Sequence, residues 1–456
     1  MLKTHEFTTA HIPNLIRRLA VPASVGFIFN TLFNVVDTFY GGKISTAALA
    51  AMGLTFPVFF IILAMGMGMG TGTTALISQS LGAGRNEEAE KYGFQAITFS
   101  IINSLFLTVI GLIIAPSLFT ILGATNDYLN IAVQYMDIIL YGTLFFLINS
   151  ILNSSLNARG DTKTYRNYLI AGFFLNVILD PWFMYGGFGV PEMGIRGIAF
   201  STILIQFFGT VYMIVITRKS KIFQNARFKD FIPRRKYFAA LFGQGFPASL
   251  NMLTVAIGIF VITYFASQFG KEAVAAYGIA TRIEQIALLP TIGLNIAALT
   301  LAGQNMGANL PERIYDSWRL NIRYGLMIIS IGTMAVLIFA RQLMEAFTAD
   351  TQVIIIGIEY LRVAALFFFA YVFLNISVST LQGMKKPLYA IFIGAYRQFV
   401  MPLPLFLFLA IYLGWGTKGI WWGIFMVNWS AGIFTFFYTR RKIRMVLKDS
   451  VAISGQ

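Results

Sequence analysis

Twelve long apolar stretches, each bounded by a short polar loop, constrain this chain more than any other feature. Taking the loops as boundaries places spans near 15–41, 48–77, 93–118, 128–156, 168–187 and 194–217. A second set lies near 240–267, 273–302, 322–346, 353–381, 389–413 and 419–439. Runs such as 56–69, 105–114 and 399–413 are apolar on nearly every face. A helix needs about 20 apolar residues to cross the hydrocarbon core of a bilayer. Twelve crossings use roughly 240–340 residues, which fits a chain of this length with short loops left over. Only 12% of the residues are charged, where a soluble domain carries about 25%. The alternating ten-residue segments of a transmembrane barrel are missing from the sequence. The expected class is therefore an all-α membrane protein of twelve transmembrane helices.

The net charge of +15 points to an anionic partner until its placement is considered. The longest hydrophilic stretch, 217–237, carries Arg218, Lys219, Lys221, Arg227, Lys229, Arg234, Arg235 and Lys236 against the single acid Asp230. Further basic loops lie at 85–91, 159–166, 313–323 and 385–386, with a basic tail at 440–448. The loops between them, near Gly41, Thr125, Gly189, Gly270, Asp350 and Gly416, carry few charges. This alternation follows the positive-inside rule and expects a multi-pass inner-membrane protein with both termini cytoplasmic. Lipid, not nucleic acid, is the expected surroundings. There is no cysteine, so thiol chemistry and disulfides are excluded. The histidines, His5 and His11, read as ordinary surface residues of the amphipathic N-terminal stretch. The first apolar run is too long for a cleavable signal peptide.

The chain repeats itself at an interval of 225 residues. That shift sets Pro22 on Pro247, and Ala50-Ala51-Met52-Gly53-Leu54 on Ala275-Ala276-Tyr277-Gly278-Ile279. It also sets Gln79-Ser80-Leu81-Gly82-Ala83 on Gln304-Asn305-Met306-Gly307-Ala308, Leu156-Asn157 on Leu381-Gln382, and Gly194-Ile195 on Gly419-Ile420. Six spans fit within the interval. The halves thus enter the membrane in the same direction, a parallel repeat with its axis along the membrane normal. This predicts an N-lobe over 1–216, a basic cytoplasmic linker over 217–237 and a C-lobe over 238–456.

Ionisable residues at lipid depth are costly and need a reason, about 2.5–3.5 kcal/mol for an acid at a helix centre on insertion scales. Asp37, Asp137, Asp180, Glu284, Arg282 and Arg397 fall well inside the spans. Asn30, Asn34 and Asp37 share one face of span one, and Asn176 and Asp180 share a face of span five. At about 1.5 Å per residue, Asp37 lies about 6 Å below the extracytoplasmic end of its span, Asp180 about 9 Å, Tyr135 about 11 Å, Thr202 about 12 Å and Asn176 about 15 Å. Four helices of the first half thus bring oxygen-bearing side chains to one level. Two acids there repel and are poorly solvated, so they are suited to sharing a proton. The same oxygens also suit a hard cation such as Na+, at Asp37, Asn176, Asp180 and Thr202. Under the 225-residue shift Asp37 becomes Ile262 and Asp180 becomes Leu405, so ion coupling is expected in the first half alone. Glu359 and Arg362, three apart, are expected to pair with each other.

Several segments in order resemble the multidrug and toxic compound extrusion (MATE) family. They are Ser78-Gln79-Ser80-Leu81-Gly82-Ala83-Gly84, Gly303-Gln304-Asn305-Met306-Gly307-Ala308, Asn157-Ala158-Arg159-Gly160-Asp161-Thr162-Lys163, and Asn176 through Pro181. The resemblance covers about residues 12–440. It implies a V-shaped fold of two six-helix lobes that exports amphipathic, often cationic, compounds in exchange for protons or sodium ions. In the branch called DinF-type, residues matching Asp37, Asn176, Asp180 and Thr202 form the first-lobe site, with Tyr135 a less exact match. The resemblance also implies that span one bends around Pro22. The NorM-type branch instead places its acids in spans seven and ten, where 247–267 and 371–380 carry none here. Substrate contacts are expected at Asn30, Asn34, Asn153 and Glu284.

The expected function is thus a secondary active multidrug antiporter for drugs, dyes and toxic cations, acting as a monomer with no cofactor beyond H+ or Na+. A lipid-linked oligosaccharide flippase of the same superfamily would want a more basic central cavity than this distribution offers. A membrane enzyme would need a nucleophile and base or metal ligands near a membrane face, and the spans contain neither cysteine nor histidine. A channel has no need of two lobes with titratable acids in only one.

Overall fold

In the computed structural model, residues 6–124, 126–219 and 227–454 are described; His5, Thr125 and residues 220–226 of the expected linker lie outside them. The first half runs α1 (Glu6–Thr9), α2 (Ile12–Ile44), α3 (Thr46–Gly82), α4 (Asn86–Ile121), α5 (Asn126–Tyr141), α6 (Thr143–Ala158), α7 (Lys163–Tyr185) and α8 (Ile195–Lys219). After a short 3-10 turn at Phe228–Asp230 come α9 (Arg235–Ser267), α10 (Lys271–Gly307), α11 (Pro311–Glu345) and α12 (Thr351–Gly383). The last spans are α13 (Leu388–Ala395), continued through α14 (Pro402–Phe406), and α15 (Thr417–Ser454). Among the described residues, eleven helical segments are long and apolar enough to cross a membrane, and the pair α5–α6, bent by 45°, makes a twelfth when counted as one span. The bend falls at Gly142, inside the expected fourth span.

The eleventh span is the irregular one. Between and after α13 and α14 the helix widens into π-helical turns at Tyr396–Val400 and Leu407–Tyr412. Pro402 and Pro404 explain the disruption, because each removes a backbone donor from the ladder.

Packing sorts the described residues into two compact units. One holds Val25–Leu81 and Arg85–Ser249; the other holds residues 6–24, Gly82–Gly84 and residues 250–454. The divisions after Ser24 and Ser249 are 225 residues apart, the interval of the repeat. α2 and α9 therefore each pass from one unit to the other at equivalent points, two residues after Pro22 and Pro247. Both prolines are buried, and both helices continue through them.

Within a membrane, apolar burial does not drive helices together, so small residues and polar bonds carry the packing. In the first unit Gly66 and Gly70 on α3 face Ser150 and Ser154 on α6, and a β-carbon at Gly70 would sit 2.5 Å from Ser154 Oγ. Ser150 Oγ donates to Gly66 O at 2.7 Å, and Thr74 Oγ1 to Ser154 O at 3.2 Å. The glycines alternating with Met65, Met67 and Met69 are thus a packing surface. In the second unit Arg313 on α11 secures α1, donating to Ala10 O at 2.7 Å and Phe7 O at 3.2 Å.

Candidate functional site

Asp37 projects from the last third of α2, Asn176 and Asp180 from α7, and Thr202 from α8. The structure brings all four together. Asn176 Nδ2 donates to Asp37 Oδ1 at 2.8 Å and to Asp180 Oδ1 at 2.9 Å. One amide nitrogen thus bridges both carboxylates and holds their oxygens on either side of itself. Thr202 Oγ1 lies 3.4 Å from Asp37 Oδ2 and also donates to Ile198 O of its own helix at 3.1 Å. All four side chains are buried; Asn176 and Asp180 are 0% exposed and Asp37 only 6%.

No basic side chain forms an ion pair with either acid among the described residues; their ion pairs all lie elsewhere. Buried unpaired carboxylates are expensive, and two side by side repel as well. Three oxygens here, Asp180 Oδ2, Asn176 Oδ1 and Ser201 Oγ, are buried without a hydrogen-bond partner. Ser201 lies beside Asp180 on α8. Each unsatisfied polar atom of this kind costs about 1–3 kcal/mol. A proton or small cation shared within the cluster would relieve both the charge and the unmet bonds.

The local frame of the site comes from a proline. Pro181 has no N–H, so the carbonyl four residues earlier, Val177 O, is released from the α7 ladder. Tyr40 Oη on α2 donates to that carbonyl at 3.2 Å. This bond lies one turn from Asp37 and joins the two helices that carry the acids. Nothing in the spacing of Tyr40 advertises it, although Pro181 implies an orphan carbonyl in need of a donor.

Among the described residues, the remaining expected residues are not hydrogen-bonded to this cluster. Tyr135 is half-buried in the hydrophobic cluster with Met136 and Ile139. Among the described residues, its hydroxyl bonds to neither acid. Asn34 is exposed and donates to Asn30 O of its own helix at 2.9 Å. Asn153 is half-buried on α6 and is not joined to the acid cluster by any hydrogen bond. One turn earlier, Asn149 belongs to a network the sequence did not reveal. Its Nδ2 donates to Gln206 Oε1 at 2.8 Å, its Oδ1 accepts from Thr210 Oγ1 at 3.0 Å, and Tyr168 Oη donates to the same Gln206 oxygen at 2.8 Å.

Glu284 belongs to the second unit and is 8% exposed. Tyr360 Oη donates to its Oε2 at 2.6 Å, and Tyr360 packs against Tyr277 and Trp421 with ring centres 5.6 and 4.9 Å apart. Arg397, on the π-helical turn, lies 5.4 Å over the ring of Tyr371. Arg282 is exposed. The expected pairing of Glu359 with Arg362 is not what the structure has. Glu359 Oε1 instead meets Lys418 Nζ at 3.4 Å, since Lys418 enters at the start of α15 on the same side of the unit.

The sequence pattern of the MatE family matches this chain twice, over residues 22–182 and 247–406, starting 225 residues apart as the internal repeat does. Similar proteins include the probable multidrug resistance protein YoeA of Bacillus subtilis, 24% identical over 88% of both chains. The FAD transporter of Shewanella oneidensis is 26% identical over 97% of both. The probable multidrug resistance protein NorM of Thermotoga maritima is 26% identical over 89% of this chain and 88% of its own. Among solved structures, a MATE transporter in the bent conformation superposes with a TM-score of 0.91 at 26% identity, covering 99% of this chain and 100% of its own. An outward-facing multidrug resistance MATE family transporter gives 0.90 at 26% identity, covering 98% and 99%.

Proposed function

Because this chain belongs to the MatE family of membrane transporters, we propose that it is a secondary active antiporter exporting amphipathic, often cationic, organic compounds. The exchanged ion is H+, with Na+ as the competing occupant, and coupling resides at Asp37, Asn176, Asp180 and Thr202. The observation that carries this reading is the sharing of one donor, Asn176 Nδ2, by two buried carboxylates without a cationic partner. Such a pair exchanges an ion because its empty state is costly and its loaded state is relieved. Binding energy for the ion can then bias a two-state carrier, provided the ion binds the two states unequally.

The proton is favoured because it needs only the two facing acids, whereas sodium needs its oxygens to close around it. Asp37, Asn176, Asp180 and Thr202 supply four such oxygens, and Ser201 is a fifth within the same pocket of polar atoms. Multidrug resistance and export proteins among the relatives support the substrate class. In this reading the protein lies in the plasma membrane with both termini cytoplasmic, which its basic loops support, and it acts as a monomer.

Efflux from proteoliposomes under separately imposed pH and sodium gradients tests the proposal. A fluorescent organic cation should leave against its gradient when an inward pH gradient is applied. FAD belongs in the same panel, since one relative is an FAD transporter. Transport that ignores both gradients defeats the antiport reading. Efflux driven by sodium alone moves the same residues to a sodium site.

A further inference from the structure

The segment that enters α9 turns back to the level where the apolar part of α4 begins. α4 opens with Glu87, Glu88 and Lys91, and its exposed side chains from Ile101 to Ile114 are all apolar. The boundary between polar and lipid-facing surface therefore falls between Lys91 and Ile101. The segment 230–234 is bonded to Gln95 and Thr98, within that boundary and about 14 and 18 Å along α4 from Asn86.

Irregular backbone near hydrocarbon must find its hydrogen bonds inside the protein. α4 supplies them. Gln95 Nε2 donates to Asp230 O at 2.7 Å and to Ile232 O at 2.8 Å, while its Oε1 accepts from Arg234 N at 2.8 Å. Thr98 Oγ1 donates to Phe231 O, which lies between those two carbonyls, at 2.8 Å. Position 233 is a proline and has no N–H to satisfy. Gln95 itself is only 1% exposed. Phe231 faces inward and packs on Phe94 with ring centres 5.1 Å apart.

This fixed turn leaves two large apolar side chains outside, Phe228 at 88% and Ile232 at 53% exposure. Around them stand Arg227, Lys229, Arg234 and Arg235, all exposed. None of the four forms an ion pair among the described residues. Asp230, the acid within the turn, accepts instead from Arg227 N at 3.1 Å. Water gives no reason to present two such apolar groups, whereas a bilayer surface does.

We propose that residues 227–235 form an interfacial anchor, with Phe228 and Ile232 among the acyl chains and the four basic side chains on anionic phospholipid headgroups. Amphipathic segments at such surfaces bury their apolar side about 5–10 Å into the boundary of headgroup and chain. Basic residues there attract anionic lipid. The anchor fixes the start of α9 relative to the membrane surface as well as to α4.

Because the chain has no cysteine, a single introduced thiol carries a unique probe. Phe228→Cys, Ile232→Cys and Glu87→Cys would each be labelled with a nitrobenzoxadiazole fluorophore. The full chains would then be placed in vesicles of phosphatidylglycerol and phosphatidylcholine. Lipids spin-labelled near the top of the acyl chain should quench the probes at 228 and 232, and aqueous iodide should not. The probe at 87, on the polar start of α4, should show the reverse. Spin-labelled phosphatidylglycerol should quench the probe at 228 about fivefold more effectively than spin-labelled phosphatidylcholine, the enrichment expected from one basic residue. Arg234→Gln with Arg235→Gln should bring the two lipids toward equality, and both positions are exposed, so the fold should persist. Depth quenching reads the same in either leaflet, so the test does not depend on which side the turn faces. Iodide quenching at 228 and 232 as strong as at 87 overturns the proposal. So does equal quenching by the two lipids in the otherwise unaltered chain, or shielding from both quenchers, which would mean that protein covers the turn.

Discussion

The two units place their buried acids in complementary positions of one repeated fold. In the first, Asp37 and Asp180 occupy spans one and five; their equivalents in the second are Ile262 and Leu405. In the second, Glu284 and Tyr371 occupy spans eight and ten; their equivalents in the first are Phe59 and Phe146, whose rings meet edge to face at 5.6 Å. Tyr135 and Tyr360 are themselves equivalent, yet only Tyr360 bonds to an acid. Of these two positions, each unit thus keeps one as an acid-bearing cluster and fills the other with apolar side chains. The chemistry of the two clusters differs as well. Asp37 and Asp180 share a single amide donor and lack a cation, an arrangement that invites an ion. Glu284 has a phenol donor and lies in an aromatic enclosure that also holds Arg397, which satisfies it internally. A repeated scaffold need not carry repeated chemistry.

The sharpest way to break this contrast is to neutralise the first cluster. Asp37→Asn should reduce gradient-driven efflux in proteoliposomes to the level of protein-free vesicles while insertion and folding persist. Asp180→Asn should come close to the same result. If Asp180 serves packing alone, its variant will instead melt earlier and keep the ion dependence of whatever transport remains.

Neutralising the second cluster should do something different. Glu284→Gln should weaken apparent affinity for some organic cations by about tenfold, the scale of one charge-assisted hydrogen bond. The response to a pH gradient should remain. Loss of all gradient response in a normally expressed Glu284→Gln protein would move the coupling site into the second unit.

The difference between the clusters was only half legible in the sequence. Asp37, Asn176 and Asp180 could be grouped because helix periodicity fixes faces and rise fixes depth, and both are local quantities. The absence of acids at 262 and 405 followed from the repeat. The partners that complete each cluster were not legible, because they come from distant segments. Gln206 meets Asn149 across 57 residues, and Tyr360 meets Glu284 across 76. Glu359 illustrates the converse error: local spacing offered Arg362, while the fold delivered Lys418. The π-helical turns of the eleventh span, on either side of Pro402 and Pro404, were not read from the sequence.

The Gln206 network offers a middle-sized test of what holds the first unit together. Gln206→Ala removes the acceptor of Tyr168 and a partner of Asn149, leaving buried donors unmet at about 1–3 kcal/mol each. The apparent melting temperature in detergent should fall by several degrees. Ion selectivity of the remaining transport should not change, since none of the network bonds reaches the acids. A shift in pH dependence would tie the network to the coupling site.

The smallest effect should come from Tyr40, and it tests the comparison most finely. Pro181 releases the Val177 carbonyl, and Tyr40 Oη takes it at 3.2 Å. In the second unit the equivalents of Tyr40 and Pro181 are Phe265 and Phe406. These stack edge to face at 5.4 Å, and Phe406 keeps its own N–H for the preceding turn. Hydroxyl and proline thus belong together in one unit and are both replaced in the other. Tyr40→Phe should lower stability by about 1 kcal/mol, the low end for an unmet polar group, because Tyr40 is only half-buried and water can reach part of the gap. The reverse change, Phe265→Tyr, should also destabilise, because no proline at 406 releases a carbonyl for a hydroxyl at this buried position. Thermal unfolding of the two variants and of the double variant would show additive losses if the two contacts are independent. If Phe265→Tyr is neutral or stabilising, a free acceptor exists in the second unit, and the pairing of tyrosine with proline is not what distinguishes the two halves.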